Sequence, residues 1–148
     1  MSAGDPVRVA FMCVRNAGRS QMSTAFAERE RERRGLEDAV EILTGGTHPA
    51  EHVHEVVVEA MHEEGFDLSD RVPRAISTAE LESCDYVVTM GCSTLELDAD
   101  ASQVEIRDWA LDDPGERDLD GVREIRDEIE ARVSDLFDEL ETEVEVRV

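Results

Sequence analysis

Residues 7–20, which read VRVAFMCVRNAGRS, decide the fold of this chain. The first part, residues 7–12, is a short run of β-branched and apolar side chains and predicts a buried strand. The second part, residues 13–20, contains Gly18 and leads into a helical pattern over residues 20–34, which Gly35 ends. A strand that turns directly into a helix is typical of the first unit of an α/β domain.

The same alternation continues along the chain. After the first helix, the predicted elements are a strand over 40–44, a helix over 53–65, a short capped helix over 77–83, a strand over 86–90, a strand over 104–106 and a helix over 122–140. Alternating strands and helices imply a parallel sheet that is joined by right-handed crossovers and covered on both faces. We therefore predict an α/β three-layer sandwich with a four-stranded parallel sheet and helices on both faces.

We place this single domain at residues 1–140 and treat residues 141–148 as a C-terminal tail. The tail alternates acidic and apolar residues. This pattern is compatible with an edge strand, a partner contact or disorder, and the sequence does not choose among them.

Charge limits the possible partners. The 148 residues include 37 acidic and 15 basic side chains, all of the basic ones Arg, for a formal charge of −22. Such a chain is a poor ligand for nucleic acid, and no stretch approaches the roughly 18 apolar residues of a membrane span. We expect an unexported, cytoplasmic protein that binds neither nucleic acid nor membrane. The charge also suggests a halophilic protein adapted to a salty cytoplasm, the alternative being an acidic surface that serves solubility alone.

Cys13 stands where the first predicted strand ends, at the edge of a parallel sheet where ligands bind. A loop at the following helix N-terminus forms an anion cradle of the P-loop type, because unpaired N–H groups and the helix dipole converge there. Arg19 can bind two oxygens of a tetrahedral anion. The helix field and a Ser20 hydrogen bond favour the thiolate of Cys13, the predicted nucleophile. The predicted substrate-binding residues are Val14, Arg15, Asn16, Ala17, Gly18, Arg19 and Ser20.

The segment CVRNAGRSQM, residues 13–22, resembles the active-site loop of the low-molecular-weight protein tyrosine phosphatase superfamily. Its ending, RSQM, is more similar to the arsenate reductase branch than to the phosphatases, whose loop more typically ends RSPM. The resemblance extends to VVVEAMHEEGFDLS at 56–69, VVTMGC at 87–92 and DWALDDPG at 108–115. It implies the same fold and an enzyme that acts on an arsenate or phosphate-type oxyanion.

The resemblance implies a thiol-dependent arsenate reductase in which Cys13 attacks arsenate and a second thiol releases arsenite. The alternative is a phosphatase that forms a phosphocysteine at Cys13, with Asp113 as general acid. Asp113 is otherwise a turn residue before Pro114, and Gly115 stands where phosphatases usually carry an aromatic residue. A third reading is a non-catalytic oxyanion-binding or redox-sensing protein.

Three cysteines form a sparse, odd-numbered set that indicates a reducing compartment. Cys92 lies just beyond the predicted strand 86–90, at the same sheet edge as Cys13, where a resolving thiol would be needed; the alternative is an inert buried thiol. Cys84 precedes that strand, at its far end, and is expected to be structural.

Thioredoxin-coupled arsenate reductases carry a further resolving Cys a few residues after the one that Cys92 resembles. Residues 93–100 of this chain contain no Cys, so the full internal relay of three cysteines is absent. The electron donor would then be a low-molecular-weight thiol or a thioredoxin- or glutaredoxin-like protein. We expect no tightly bound cofactor. We also expect no metal, because His52 and His54 do not share a helix face.

Overall fold

The computed structural model describes residues 6–46, 48–90, 104–109, 111 and 117–147. The elements, in chain order, are β1 Val7–Cys13, α1 Arg19–Arg33, β2 Val40–Gly46, α2 Glu55–His62, α3 Thr78–Glu82, β3 Tyr86–Met90, β4 Glu105–Asp108 and α4 Leu119–Arg147.

The four strands form one parallel sheet in the order β2-β1-β3-β4. The predicted α/β class and four-stranded parallel sheet are confirmed. β1 lies inside the sheet between β2 and β3, and all of its residues except Arg8 are buried. A near-continuous apolar run is typical of a parallel strand covered on both faces.

Helices cover both faces of the sheet, but unequally. On one face, Val9, Phe11 and Cys13 of β1 contribute to a large core with α1, α2 and α4. We call these three helices and their adjoining residues the helical layer. Ala10 and Met12 belong to a smaller core on the opposite face, with Leu81 and Cys84 near α3. The alternation follows from the two-residue period of a strand, which sends successive side chains to opposite faces.

α3 begins as its sequence predicts. The Ser77 side chain accepts a hydrogen bond from the backbone N–H of Glu80, and the Glu80 side chain bonds back to the N–H of Ser77. This reciprocal capping box satisfies backbone donors that a helix start leaves free. β4 is displaced from its predicted position and covers Glu105–Asp108 rather than residues 104–106.

α4 buries the apolar residues that predicted it, among them Val122, Ile129 and Phe137. The helix does not end at Leu140 but continues through residue 147. The edge-strand and disorder interpretations of the tail are therefore wrong for residues 141–147. Val144 packs against the larger core. Tertiary contacts therefore extend the helix beyond residues 122–140, where the helical spacing of apolar residues is clearest.

Among the helices in the described part of the chain, none combines the length and the apolarity that a bilayer crossing requires.

Candidate active site

Cys13 is the last residue of β1 and lies at the carboxyl edge of the sheet. It pairs in register with Gly46 at the end of β2 and with Met90 at the end of β3. α1 begins six residues later, at Arg19, after an N-cap glycine that provides no side-chain cap. The strand, the turn and the helix therefore place the Cys13 thiol, which is only 3% exposed, at the N-terminal end of α1.

Two polar groups contact the Cys13 sulfur. The Ser20 Oγ lies 3.0 Å from Sγ, and the backbone N–H of Asn16 donates to Sγ over 3.2 Å. Ser20 is completely buried, so water does not compete for this contact. Donors directed at sulfur stabilise the thiolate, which is the nucleophilic form.

Asn16 is held in a conformation that few residues adopt. Its φ of 53° lies in the left-handed region, which Asn tolerates better than most side chains. Its Nδ2 donates to Ser20 Oγ at 2.7 Å and to Thr44 Oγ1 at 2.9 Å. Asn16 therefore connects the loop to both α1 and β2.

Three carbonyl groups of the oxyanion loop, residues 13–20, bond to the segment that follows β2. The carbonyls of Val14, Arg15 and Ala17 accept hydrogen bonds from the N–H groups of His48, Ala50 and His54, over 2.7, 2.9 and 3.0 Å. In a planar trans peptide the C=O and the next N–H point in opposite directions. The N–H groups of residues 15, 16 and 18 consequently face away from that segment, as an anion cradle requires.

Gly46 allows the oxyanion loop to approach β2 closely. A Cβ atom at this position would lie 2.7 Å from the Val14 carbonyl oxygen and 2.9 Å from the Asn16 nitrogen. Both distances are below normal contact, and both partners are backbone atoms. The predicted strand ends at residue 44, whereas β2 continues through Gly46, where a glycine allows close backbone approach.

Arg19 is a buried cation within the loop, 8% exposed. Its Nη1 donates to the Leu111 carbonyl at 3.1 Å. Its Nε is buried and has no partner among the described residues. A buried guanidinium N–H without a partner is a ready donor for an oxyanion.

The structure brings together Cys13 and the predicted loop residues 14–20, whose individual roles stay predictions. Cys92 and Asp113 lie outside the described residues. The sequence did not identify the contacts that Thr44, Gln21 and the Arg74 backbone make with Asn16. Gln21 follows the loop directly, and its polarity in a buried helical turn was the available signal.

Cys84 lies in the smaller core and is buried. Burial raises the pKa of its thiol, and Sγ donates to the Glu80 carbonyl at 3.3 Å. These features fit the structural role expected for it. The described residues contain no group of three or more His, Cys, Asp or Glu side chains that could hold a metal ion, and the absence of a metal stays a prediction.

The chain belongs to the low molecular weight phosphotyrosine protein phosphatase family, whose model matches residues 8–146. This confirms the resemblance recognised in the sequence. It is 73% identical over 139 residues to a Halobacterium salinarum protein named "Putative arsenate reductase", covering 94% of this chain and 96% of that protein. It is 28% identical to the glutaredoxin arsenate reductase of a Synechocystis species over 131 residues, covering 88% and 95% of the two chains.

Among solved structures, the thioredoxin-dependent arsenate reductase of Corynebacterium glutamicum superposes with a TM-score of 0.76 and 31% identity. The match covers 94% of this chain and spans 64% of that protein's length. Family and relatives together confirm that the chain is an enzyme of the arsenate reductase or the low-molecular-weight phosphatase type.

Proposed function

We propose that the protein is a thiol-dependent arsenate reductase. The observation that carries this proposal is the placement of the Cys13 sulfur, between the Ser20 hydroxyl and the Asn16 N–H, at the start of a helix and in one loop with Arg19. A nucleophile and an anion cradle in one loop suit attack on a tetrahedral oxyanion. The similarity to proteins named arsenate reductases favours arsenate as the substrate.

In the first step the Cys13 thiolate attacks arsenic and forms an S–As bond, while one arsenate oxygen leaves as water after protonation. Loop N–H groups and Arg19 bind the remaining oxygens, and arsenic stays pentavalent. The buried Nε of Arg19, which has no partner among the described residues, supports this role because an oxyanion oxygen would satisfy it.

In the second step another thiolate attacks Cys13 Sγ and forms a disulfide. The electron pair of the S–As bond passes to arsenic, which leaves as trivalent arsenite. We assign the attacking thiol to Cys92, because β3 ends two residues earlier at Met90, the register partner of Cys13. An external thiol or a thioredoxin- or glutaredoxin-like protein then reduces the disulfide, and the redoxin-dependent relatives support such a partner.

The second candidate is phosphomonoester hydrolysis, which the phosphatase description of the matching family favours. Cys13 would form a phosphocysteine, and Asp113 would protonate the leaving oxygen and later activate water. Leu111, two positions before Asp113, accepts a hydrogen bond from Arg19. This contact brings the described residue Leu111 to the loop, and the proposed role of Asp113 rests on the resemblance.

One preparation can separate the two reactions. The purified protein is incubated with arsenate and a thiol or a redoxin system, and in parallel with an aryl phosphate. We expect arsenite formation and the loss of two free thiols, with a Cys13–Cys92 disulfide found by peptide mass mapping. Cys92→Ser should prevent the disulfide and preserve any phosphatase activity. If the protein hydrolyses the aryl phosphate but consumes no arsenate with any thiol or redoxin as electron donor, it is a phosphatase.

We also propose that the protein works in concentrated salt. Its formal charge of −22 creates strong self-repulsion, which salt screens. Salt weakens the exposed Arg–carboxylate pairs at the same time, so stability rises only if relief of repulsion is the larger effect. We expect the free energy of unfolding to increase from 0.1 to about 2 M KCl, where the Debye length falls below about 3 Å. A flat or falling curve would leave solubility as the sole role of the acidic surface.

A further inference from the structure

Gln21 is a buried polar side chain in the first turn of α1, directly after Ser20. It is 2% exposed, and its Nε2 donates to Asn16 Oδ1 at 3.0 Å. Its Oε1 is buried and has no hydrogen-bond partner among the described residues. A buried acceptor without a partner lowers stability. We therefore expect an apolar side chain of similar shape to give a similar stability at this position. Packing alone does not explain why the residue is a glutamine.

The contacts of the Asn16 side chain fix which end of its amide is oxygen and which is nitrogen. The backbone N–H of Arg74 lies 3.0 Å from Asn16 Oδ1, and a backbone N–H can only donate. This contact identifies the oxygen end of the Asn16 amide, so Nδ2 is the end that faces Ser20. Because Ser20 Oγ accepts from Nδ2, its own proton is available for Cys13 Sγ, 3.0 Å away.

Gln21 acts on the same chain of bonds from the helix that carries Ser20. If the Gln21 amide were reversed, its oxygen would face Asn16 Oδ1 and two acceptors would repel each other. The observed donor instead resists rotation of an Asn16 side chain whose backbone is in the left-handed region. We propose that Gln21 is a positioning residue, which holds the Asn16 amide in the orientation that directs the Ser20 proton to the Cys13 sulfur. The inference rests on the proposed function, in which Cys13 is the nucleophile.

Gln21→Met tests this role because methionine has a similar length and no hydrogen-bond donor to offer Oδ1. Thr24→Val is the matched control. Thr24 is also buried in α1, but its Oγ1 donates to the Ser20 carbonyl within the helix, at 2.7 Å. For each protein we would measure the rate of Cys13 alkylation by iodoacetamide against pH, with the modified residue located by peptide mass mapping. Steady-state kinetics with arsenate and thermal unfolding complete the comparison.

We expect Gln21→Met to move the midpoint of the alkylation profile to higher pH and to lower kcat about 2- to 10-fold, the worth of one hydrogen bond. The KM for arsenate and the Tm should change little. Thr24→Val should keep the wild-type midpoint. Gln21→Leu should repeat the shift, which excludes a packing fault specific to methionine.

An unchanged alkylation profile in both Gln21 variants would overturn the proposal, and so would an equal shift in Thr24→Val. The alkylation measurement requires no turnover. If Gln21→Met shifts the profile but the wild type reduces no arsenate, the positioning role stands and the proposed reductase function fails.

Discussion

Hydrogen bonds hold both the oxyanion loop and the helical layer, but those of the loop are buried and many of those in the helical layer are exposed to solvent. In the loop, Cys13, Asn16 and Ser20 are buried, and polar contacts of 2.7–3.2 Å join all three residues. In the helical layer, Arg34, the C-cap residue that follows α1, pairs with Asp138 and Glu141 on α4, whose side chains are 70% and 42% exposed.

The difference determines what a single substitution can do. Water can replace an exposed ion-pair partner, and such pairs contribute about 0–1 kcal/mol each. Inside the loop the groups are buried, so a group that loses its partner carries the cost of its desolvation. Function should therefore be sensitive to single atoms in the loop, whereas the helical layer should tolerate single losses.

The largest effect is expected at the nucleophile. Cys13→Ser should remove measurable turnover with arsenate and with aryl phosphate, because a serine hydroxyl is not ionised at neutral pH. Phosphate binding, measured by calorimetry, should persist because the loop N–H groups and Arg19 remain. Cys84→Ser is the control and should retain activity. Turnover by Cys13→Ser would refute the nucleophile assignment.

The second effect concerns the predicted general acid. Asp113→Asn should slow hydrolysis of an aryl phosphate with a poor leaving group by about 10² to 10⁴, the usual contribution of a positioned acid. Asp112→Asn, one position away, should have little effect. If the Asp113→Asn rate matches the wild type, Asp113 is a turn residue only.

The third test uses the close approach of β2 to the loop. Gly46→Ala should destabilise the protein by about 1–3 kcal/mol and lower activity per folded molecule, because its Cβ would overlap loop backbone atoms. Gly65→Ala is the control. Gly65 has a φ of 88° and open space for a Cβ, so this change should reduce stability without altering the site. Denaturant unfolding and kcat separate the two outcomes, and equal activity losses would contradict the contact.

The smallest effect is expected in the helical layer, at Glu63. Hydrogen bonds from Arg123 and Arg126 lower the pKa of its carboxyl to about 2. A depressed pKa stabilises the fold above the unfolded value of 4.5, and this contribution disappears as the pH falls from 4.5 to about 2.

Glu63→Gln should therefore be slightly less stable than the wild type at pH 7, and the difference should shrink below pH 4.5. Thermal unfolding of both proteins across this range measures it. Glu128→Gln, in an exposed pair with Arg132 within one helix, should change stability less. A difference that is constant with pH would show that the Glu63 charge is not responsible.

Local patterns predicted most of the fold. β3 covers the predicted residues, because a largely apolar run is bounded by Asp85 and Gly91. The end of α4 was missed, because the alternating acidic and apolar residues after Leu140 carry no strong helical period. Contacts from distant positions hold this part in place: Arg34 pairs with Glu141, and Tyr86 donates to Glu143 at 3.1 Å.

The sequence by itself determined the strand, the loop and the helix that carry Cys13, Arg19 and Ser20. The apolar pattern of the strand, the glycine of the turn and the start of the helix each depend on a few neighbouring residues. Tertiary structure decided which distant groups hold Asn16, in addition to its local partners Ser20 and Gln21. Thr44 and Arg74, its partners, lie 28 and 58 positions away. These contacts depend on β2 lying beside β1 in the sheet, and strand order follows from packing of the whole chain rather than from any local pattern.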